Sequence, residues 1–110
     1  MGVSREFRNF LEELLAGFGP VQIKPMFGGA GIYADGVMFG LIADDTLYFK
    51  ADDGNRGAFE VEGMSPFMYR GRGKPVAMSY WRVPERLLDD PEEIADWACS
   101  ALAAAARAKR

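Results

Sequence analysis

Histidine is absent from this chain, and cysteine occurs once, as Cys99. Structural zinc sites take four ligands that are mainly cysteine and histidine, and a disulfide within one chain needs two cysteines. Catalysis by a Cys–His pair also needs a residue that the chain lacks. We therefore expect no zinc, no haem and no other cofactor, and we interpret Cys99 as an apolar packing residue.

Long apolar runs are absent too. No stretch of about 18 apolar residues is available to span a membrane, and Arg5 and Glu6 bring charge before any signal-peptide core could form. We therefore expect a cytoplasmic protein that does not contact the membrane. The 110 residues, 49% hydrophobic and 13% aromatic, fit one domain spanning residues 1–110.

The chain has no excess of positive charge, because its formal net charge is −3. This balance argues against indiscriminate binding of nucleic acid. The charge is unevenly distributed, however. Residues 65–86 contain one acid, Glu85, and five basic residues: Arg70, Arg72, Lys74, Arg82 and Arg86. One segment of an acidic protein is therefore locally basic.

Two amphipathic helices are predicted, one at each end of the chain. Ser4 is a suitable N-cap for a first helix, whose apolar residues recur every three or four positions: Phe7, Phe10, Leu11, Leu14, Leu15 and Phe18. Asp90, Pro91 and Glu93 read as N-cap, first-turn proline and capping-box acid of a last helix. Its predicted apolar face consists of Ile94, Trp97, Ala98, Ala101, Leu102 and Ala105.

Short apolar or alternating runs between the two helices predict strands near 21–25, 29–34, 37–43, 46–51, 66–71 and 75–83. Residues 52–64 read as a loop with a short helical turn. In 46–51 the alternation places Leu47 and Phe49 on one face and Tyr48 and Lys50 on the other. The predicted fold class is α+β, with two layers and a mainly antiparallel sheet flanked by an N-terminal and a C-terminal helix.

The most distinctive motif is Met26-Phe27-Gly28-Gly29, followed by the hairpin signal Asp35-Gly36. Asp-Gly readily takes the positive φ angles of a two-residue type I′ turn. The glycines do not have the spacing of a phosphate-binding loop, and a strand is predicted after them instead of a helix. Close approach of another backbone, or a bulge, is the favoured reason for these glycines.

Three blocks of sequence in this order resemble the N-terminal domain of the TfoX (Sxy) competence regulators. They are residues 26–29 continuing to Phe39, the run Leu47-Tyr48-Phe49-Lys50-Ala51-Asp52, and the run Tyr80-Trp81-Arg82-Val83-Pro84-Glu85. The resemblance covers nearly the whole chain and implies a two-layer fold. It also implies a bacterial regulatory module that acts in transcription control through other proteins and, in one alternative, through DNA. Full-length members of this family carry a further C-terminal domain.

One constellation has functional character, because it mixes cations with flat rings as surfaces for single-stranded nucleic acid do. The candidate binding surface comprises Arg70, Arg72, Lys74, Tyr80 and Arg82. Such residues also occur simply as solvated or half-buried strand positions. An acidic protein partner would suit this surface equally well. A homodimer and a small-ligand site remain alternatives.

No catalytic set is predicted, so the protein is expected not to be an enzyme. Adjacent carboxylates occur at Asp44-Asp45, Asp52-Asp53 and Asp89-Asp90, but each pair falls where a turn or a helix cap is expected. An enzymatic alternative would require a cleft with strongly perturbed titratable groups.

Overall fold

The computed structural model describes residues 3–26, 28–70 and 73–109. Its helices are α1 (Arg5–Leu14), α2 (Arg56–Val61) and α3 (Pro91–Ala108), with 3₁₀ turns at Leu15–Gly17 and Glu85–Asp89. Its strands are β1 (Gln22–Met26), β2 (Gly29–Ala34), β3 (Val37–Ala43), β4 (Thr46–Lys50), β5 (Pro66–Tyr69) and β6 (Val76–Arg82).

The strands form one sheet in the order β1-β2-β3-β4-β6-β5, and every neighbouring pair is antiparallel. The predicted turn between β2 and β3 is confirmed, because Asp35 and Gly36 have φ angles of 52° and 76°. A register shift between Ile32 and Tyr33 adds a bulge to the β2–β3 pair. With a helix at each end, this sheet confirms the predicted α+β class.

One face of the sheet is packed against the helices. Leu47 and Phe49 are buried there beside Ile32 and Ile42, as the alternation in β4 predicts. Helix α3 crosses β3 and β4, and its buried alanines at 98, 101, 104 and 105 lack the bulk that would hold it away from the strands. Ala104, which is fully buried, was not among the predicted apolar residues of α3.

Both predicted N-caps are present, but the capping box is not. The Ser4 Oγ accepts the backbone N–H of Phe7 at 3.1 Å, and the Asp90 Oδ1 accepts that of Glu93 at 3.0 Å. The backbone N–H of Asp90 donates to the carbonyl of Leu87 instead of to the Glu93 carboxylate. The Glu93 carboxylate accepts charge-assisted hydrogen bonds from the guanidinium of Arg86, which belongs to the preceding 3₁₀ turn.

The structure shows which way the side chains of Cys99 and Trp81 point. Cys99 is exposed, which corrects its interpretation as a packing residue, because it lies on the side of α3 that points away from the sheet. Trp81 packs on the helical side, with its ring centroid 6.3 Å from that of Phe59. Phe59 belongs to α2, the short helix predicted in the loop over 52–64.

Candidate binding face

Two of the predicted binding residues, Tyr80 and Arg82, lie on the side of the sheet opposite the helices. Cross-strand partners point to the same side of a sheet. The register therefore places one row of residues across five strands: Lys24, Gly31, Leu41, Tyr48 and Arg82. Tyr80 lies two positions from Arg82 and is paired with Lys50, so both belong to this side too. We call it the open face.

Tyrosines and lysines on the open face are arranged in pairs. The Nζ of Lys24 lies 5.0 Å from the ring centroid of Tyr33, and the Nζ of Lys50 lies 5.1 Å from that of Tyr80. These distances are typical of cation–π contacts. Lys50 also donates to the Oγ of Ser79 at 2.8 Å. The face therefore combines positive charge with aromatic surface.

Tyr80 is partly withdrawn from solvent. Its hydroxyl donates to the backbone carbonyl of Met38 at 3.4 Å. Burial raises the pKa of the phenol, and the neighbouring Tyr33 raises that pKa further. Tyr80 is therefore a neutral hydrogen-bonded side chain at physiological pH, and its ring supports the position of Lys50.

A groove of about 520 Å³ lies at one end of the open face. Its apolar lining comprises Met26, Leu41, Phe67, Tyr69 and Met78. The backbone at Gly28 and Gly29 lines the same groove, together with Arg70 and Asp44. The fold thus brings the glycine motif and the basic segment, which are some forty positions apart in the sequence, to one site.

The glycine motif allows two backbones to approach closely. A Cβ on Gly29 would overlap the carbonyl oxygen of Ile42 on β3. Gly28 has a φ of +77°, in the left-handed region that favours glycine. Close approach, one of the two reasons favoured from the sequence, is therefore confirmed at Gly29, and the missing side chains leave room for the groove.

The β5–β6 hairpin is only partly joined to the rest of the sheet. Strand β6 pairs with β4 from Tyr80 to Arg82, and the backbone N–H of Ala51 donates to the carbonyl of Ser79, so the start of β6 is paired with β5 alone. Four large apolar side chains of this hairpin are exposed: Met68 by 48%, Tyr69 by 41%, Val76 by 56% and Met78 by 37%. Tyr69, Val76 and Met78 share one side of the hairpin, and an exposed apolar cluster of this kind is typical of an interaction surface.

Three arginines of the helical side are neutralised by carboxylates. Arg107 bonds Asp52 at 2.7 Å, Arg56 bonds Asp53 at 2.6 Å, and Arg86 binds both Glu62 and Glu93. Arg107 lowers the pKa of Asp52 to about 2, and Arg86 lowers the pKa of Glu62 and of Glu93. These shifted carboxyl groups have structural partners and lie outside the groove lining.

The cations of the open face and the hairpin differ in this respect. Within residues 3–26, 28–70 and 73–109, no ion pair reaches Arg70, Lys74 or Arg82. Arg70 and Lys74 flank the connection of the hairpin, and both are exposed. Among the described residues, Arg70, Lys74 and Arg82 thus carry positive charge outside any ion pair, in a protein whose net charge is negative.

Four of the five predicted surface residues can be placed. Tyr80 and Arg82 lie on the open face, Arg70 lines the groove just after β5, and Lys74 precedes β6. Arg72, like Phe27 of the glycine motif, lies outside the described residues. Strand β5 ends at Tyr69 instead of continuing to residue 71 as predicted, so Arg70 belongs to the connection and not to the strand.

Four residues of the open face were not part of the predicted binding surface: Lys24, Tyr33, Tyr48 and Lys50. For Tyr48 and Lys50 a usable signal existed, because the alternation in β4 places both opposite Leu47 and Phe49. Lys24 reads from the sequence as a charge at the end of a strand. Only the register of β1 against β2 shows that it shares a face with Tyr33.

Neither a metal site nor a membrane-spanning helix is found among the described residues. Across the described parts of the chain, no group of three or more acidic or cysteine side chains is placed to hold a metal ion. The helices in those parts include none long and apolar enough to cross a bilayer.

The sequence was also compared with known proteins. Residues 13–105 match the family described as TfoX N-terminal domain. Protein Sxy of Escherichia coli (strain K12) is 26% identical over 76 residues, which is 69% of this chain and 36% of the relative. DNA transformation protein TfoX1 of Aliivibrio fischeri (strain ATCC 700601 / ES114) is 26% identical over 92 residues, which is 84% of this chain and 42% of the relative. The matched regions thus cover less than half the length of either relative.

Proposed function

This chain belongs to the TfoX N-terminal domain family, and from that premise we propose that it is a non-enzymatic bacterial regulatory module of the competence-regulator type. We further propose that it acts in transcription control through contacts with other proteins. The names of its relatives, Sxy and the DNA transformation protein TfoX1, support the pathway. Those names do not say how the N-terminal domain acts. The proposed mechanism therefore rests on the exposed surface of this chain.

The exposed apolar cluster on the β5–β6 hairpin is the observation that carries the proposed mechanism. Val76 is 56% exposed, and Tyr69 and Met78 on the same side of the hairpin are 41% and 37% exposed. A two-stranded ribbon has little stability of its own, and apolar side chains at its surface are typical of a region that a partner covers. Apolar anchors of this kind usually supply most of the energy of a protein interface.

A matched pair of substitutions tests this mechanism in the native bacterium. Val76→Glu places a charge in the hairpin cluster, whereas Val61→Glu makes the same change at an 89% exposed valine of α2. The readout is the set of transcripts that change when the gene is deleted. We expect Val76→Glu to reproduce the deletion and Val61→Glu to resemble the wild type. The proposal fails if deletion leaves competence transcripts unchanged, or if Val76→Glu behaves as the wild type.

Direct binding of nucleic acid is the second candidate function, favoured by the Lys24–Tyr33 and Lys50–Tyr80 pairs on the open face. The test is fluorescence anisotropy with labelled single- and double-stranded DNA at low and physiological salt. Because neutralised phosphates release counterions, binding through this surface should weaken steeply with salt. It should also be lost in the triple Arg70/Arg72/Lys74→Ala variant and kept in Arg56→Ala, which removes a paired arginine.

A further inference from the structure

The groove and the hairpin cations form one composite surface, and we infer that it binds an acidic polypeptide segment that carries an apolar anchor residue. This inference rests on the proposed function, because it assumes that the chain acts through a protein partner. It adds the place of binding and the chemistry of that partner.

The groove is the apolar part of this composite surface. Its volume of about 520 Å³ lies within the range of sites that enclose a ligand, roughly 300–1,000 Å³. Methionine thioethers at 26 and 78 and the rings of Phe67 and Tyr69 line it. Methionine adapts its shape to an incoming side chain, so this lining suits a large apolar residue of a partner.

The exposed cluster continues beyond the groove, which favours a polypeptide over a small molecule. Val76, the cross-strand partner of Tyr69, points to the same side of the hairpin as Tyr69 and Met78 and is 56% exposed. Its exposed surface lies outside the groove lining. A small ligand seated in the groove would leave that surface in water, whereas a chain segment could cover both.

Arg70 and Lys74 form the charged part of this surface. Arg70 lines the groove, and Lys74 is exposed near the other end of the connection between β5 and β6. Among the described residues neither is ion-paired, in contrast to Arg56, Arg86 and Arg107. Asp44 is the acid at the groove, and it lies in the turn between β3 and β4. Carboxylates of a partner would therefore meet arginine and lysine on the hairpin side of the groove.

The edges of the sheet make simple strand addition a poor alternative. Strands β1 and β5 are the two edges of the described sheet, and each contains a proline, Pro25 and Pro66. Proline has no N–H to donate to an added strand and is a common guard of exposed edges. The partner is therefore expected to be held by its side chains in the groove.

The test is a titration of the isotope-labelled protein with three defined peptides, followed by NMR. The first contains glutamates and leucines, the second has serine at every leucine, and the third has glutamine at every glutamate. At about 1 mM, where weak complexes are populated, we expect only the first to shift the amide resonances of Leu41 and Phe67. Either control peptide shifting them equally would refute the stated chemistry, as would no shift with the first peptide.

Variants locate the binding. Met78→Glu introduces a carboxylate into the groove and should weaken the first peptide by about tenfold, which corresponds to 1.4 kcal/mol. Arg70→Gln should weaken it several-fold, and Val61→Glu should leave it unchanged. The proton–nitrogen spectrum of each variant reports whether it is folded. Unchanged affinity in a folded Met78→Glu protein would overturn the assignment of the groove.

Other occupants give distinct results. Shifts of the groove resonances that depend on protein concentration without peptide would assign the surface to a second copy of the chain. Displacement of the peptide by DNA at physiological salt would assign it to nucleic acid. Either result overturns the inference. Peptide binding combined with wild-type transcripts in Val76→Glu would instead leave this site standing and refute the proposed function.

Discussion

Single atoms decide how closely the strands approach at the glycine motif. The nearest neighbour of a Cβ built on Gly29 is a backbone carbonyl oxygen, that of Ile42. A Cβ on Gly31 would instead meet the ends of three side chains, at 3.0 Å from Met26 Sδ, 3.0 Å from Tyr33 Cε1 and 3.2 Å from Met38 Sδ. Side-chain ends can move aside, whereas a backbone oxygen within a sheet ladder cannot move without breaking hydrogen bonds.

Alanine at these two positions should therefore have unequal costs. We expect Gly29→Ala to destabilise the fold by more than about 3 kcal/mol, beyond the usual range of overpacking, because strand β3 must shift. Gly31→Ala should cost about 1 kcal/mol. Urea unfolding followed by tryptophan fluorescence measures both values. Equal costs would contradict the close approach of Gly29 to Ile42.

At the scale of elements, ion pairs join α3 to the segment that contains α2. Arg86, in the 3₁₀ turn, holds Glu62 at the end of α2 and Glu93 in the first turn of α3. Arg107, in the last turn of α3, holds Asp52 in the loop that leads to α2. These contacts fix both ends of α3 relative to the loop over residues 52–64.

The Asp52–Arg107 pair predicts a dependence of stability on acid pH. The pKa of Asp52 is lowered from 3.8 to about 2 in the folded protein, chiefly by its hydrogen bond to Arg107. Its stabilising contribution is therefore complete above about pH 4 and is lost as the pH falls towards 2. Urea midpoints across this range should fall less steeply in Arg107→Gln than in the wild type. Parallel curves would show that the pair does not contribute.

The N-cap of α3 gives a second prediction at this scale. Asp90→Ala removes the acceptor of the Glu93 backbone N–H and should destabilise the protein by about 1 kcal/mol. Asp96→Ala is the matched control, because Asp96 is exposed within the same helix and alanine is the better helix former. Thermal unfolding followed by circular dichroism compares the two. A cost at position 96 equal to that at 90 would contradict the capping role.

The whole molecule has two unlike sides. Helices cover one side of the sheet, and Arg56, Arg86 and Arg107 on that side are paired with carboxylates. The open face and the hairpin carry tyrosines, methionines and cations, and among the described residues Arg70, Lys74 and Arg82 have no ion pair. The first side supplies stability, and the second is proposed to supply binding.

This division predicts that stability and binding respond to different substitutions. Phe49→Ala removes a fully buried ring on the packed side and should cost about 3–5 kcal/mol. Val76→Ala, on the hairpin, should change the free energy of unfolding by less than about 0.5 kcal/mol. Denaturant unfolding of both variants provides the comparison. A large cost at Val76 would mean that the hairpin belongs to the core instead of to a partner surface.

Prediction from the sequence succeeded where a local pattern reports on one element. The alternation in β4, the Asp35-Gly36 turn and the caps at Ser4 and Asp90 depend on neighbours a few positions away, and all four are present. Prediction was wrong where a distant group competed with a local one. Arg86 draws the Glu93 side chain away from the cap, and the side of α3 that meets the sheet leaves Cys99 exposed.

The sequence alone determined the α+β class, the order of the elements and the family resemblance, because periodicity and turn residues are written along the chain. The tertiary structure alone decided which residues meet. It placed Met26 and Gly29 beside Arg70 and Met78, joined Lys24 and Arg82 in one row, and left part of β6 without a second neighbour. The physical reason is that the register, the twist of the sheet and the placement of the hairpin depend on packing between residues far apart in sequence, which no local pattern encodes.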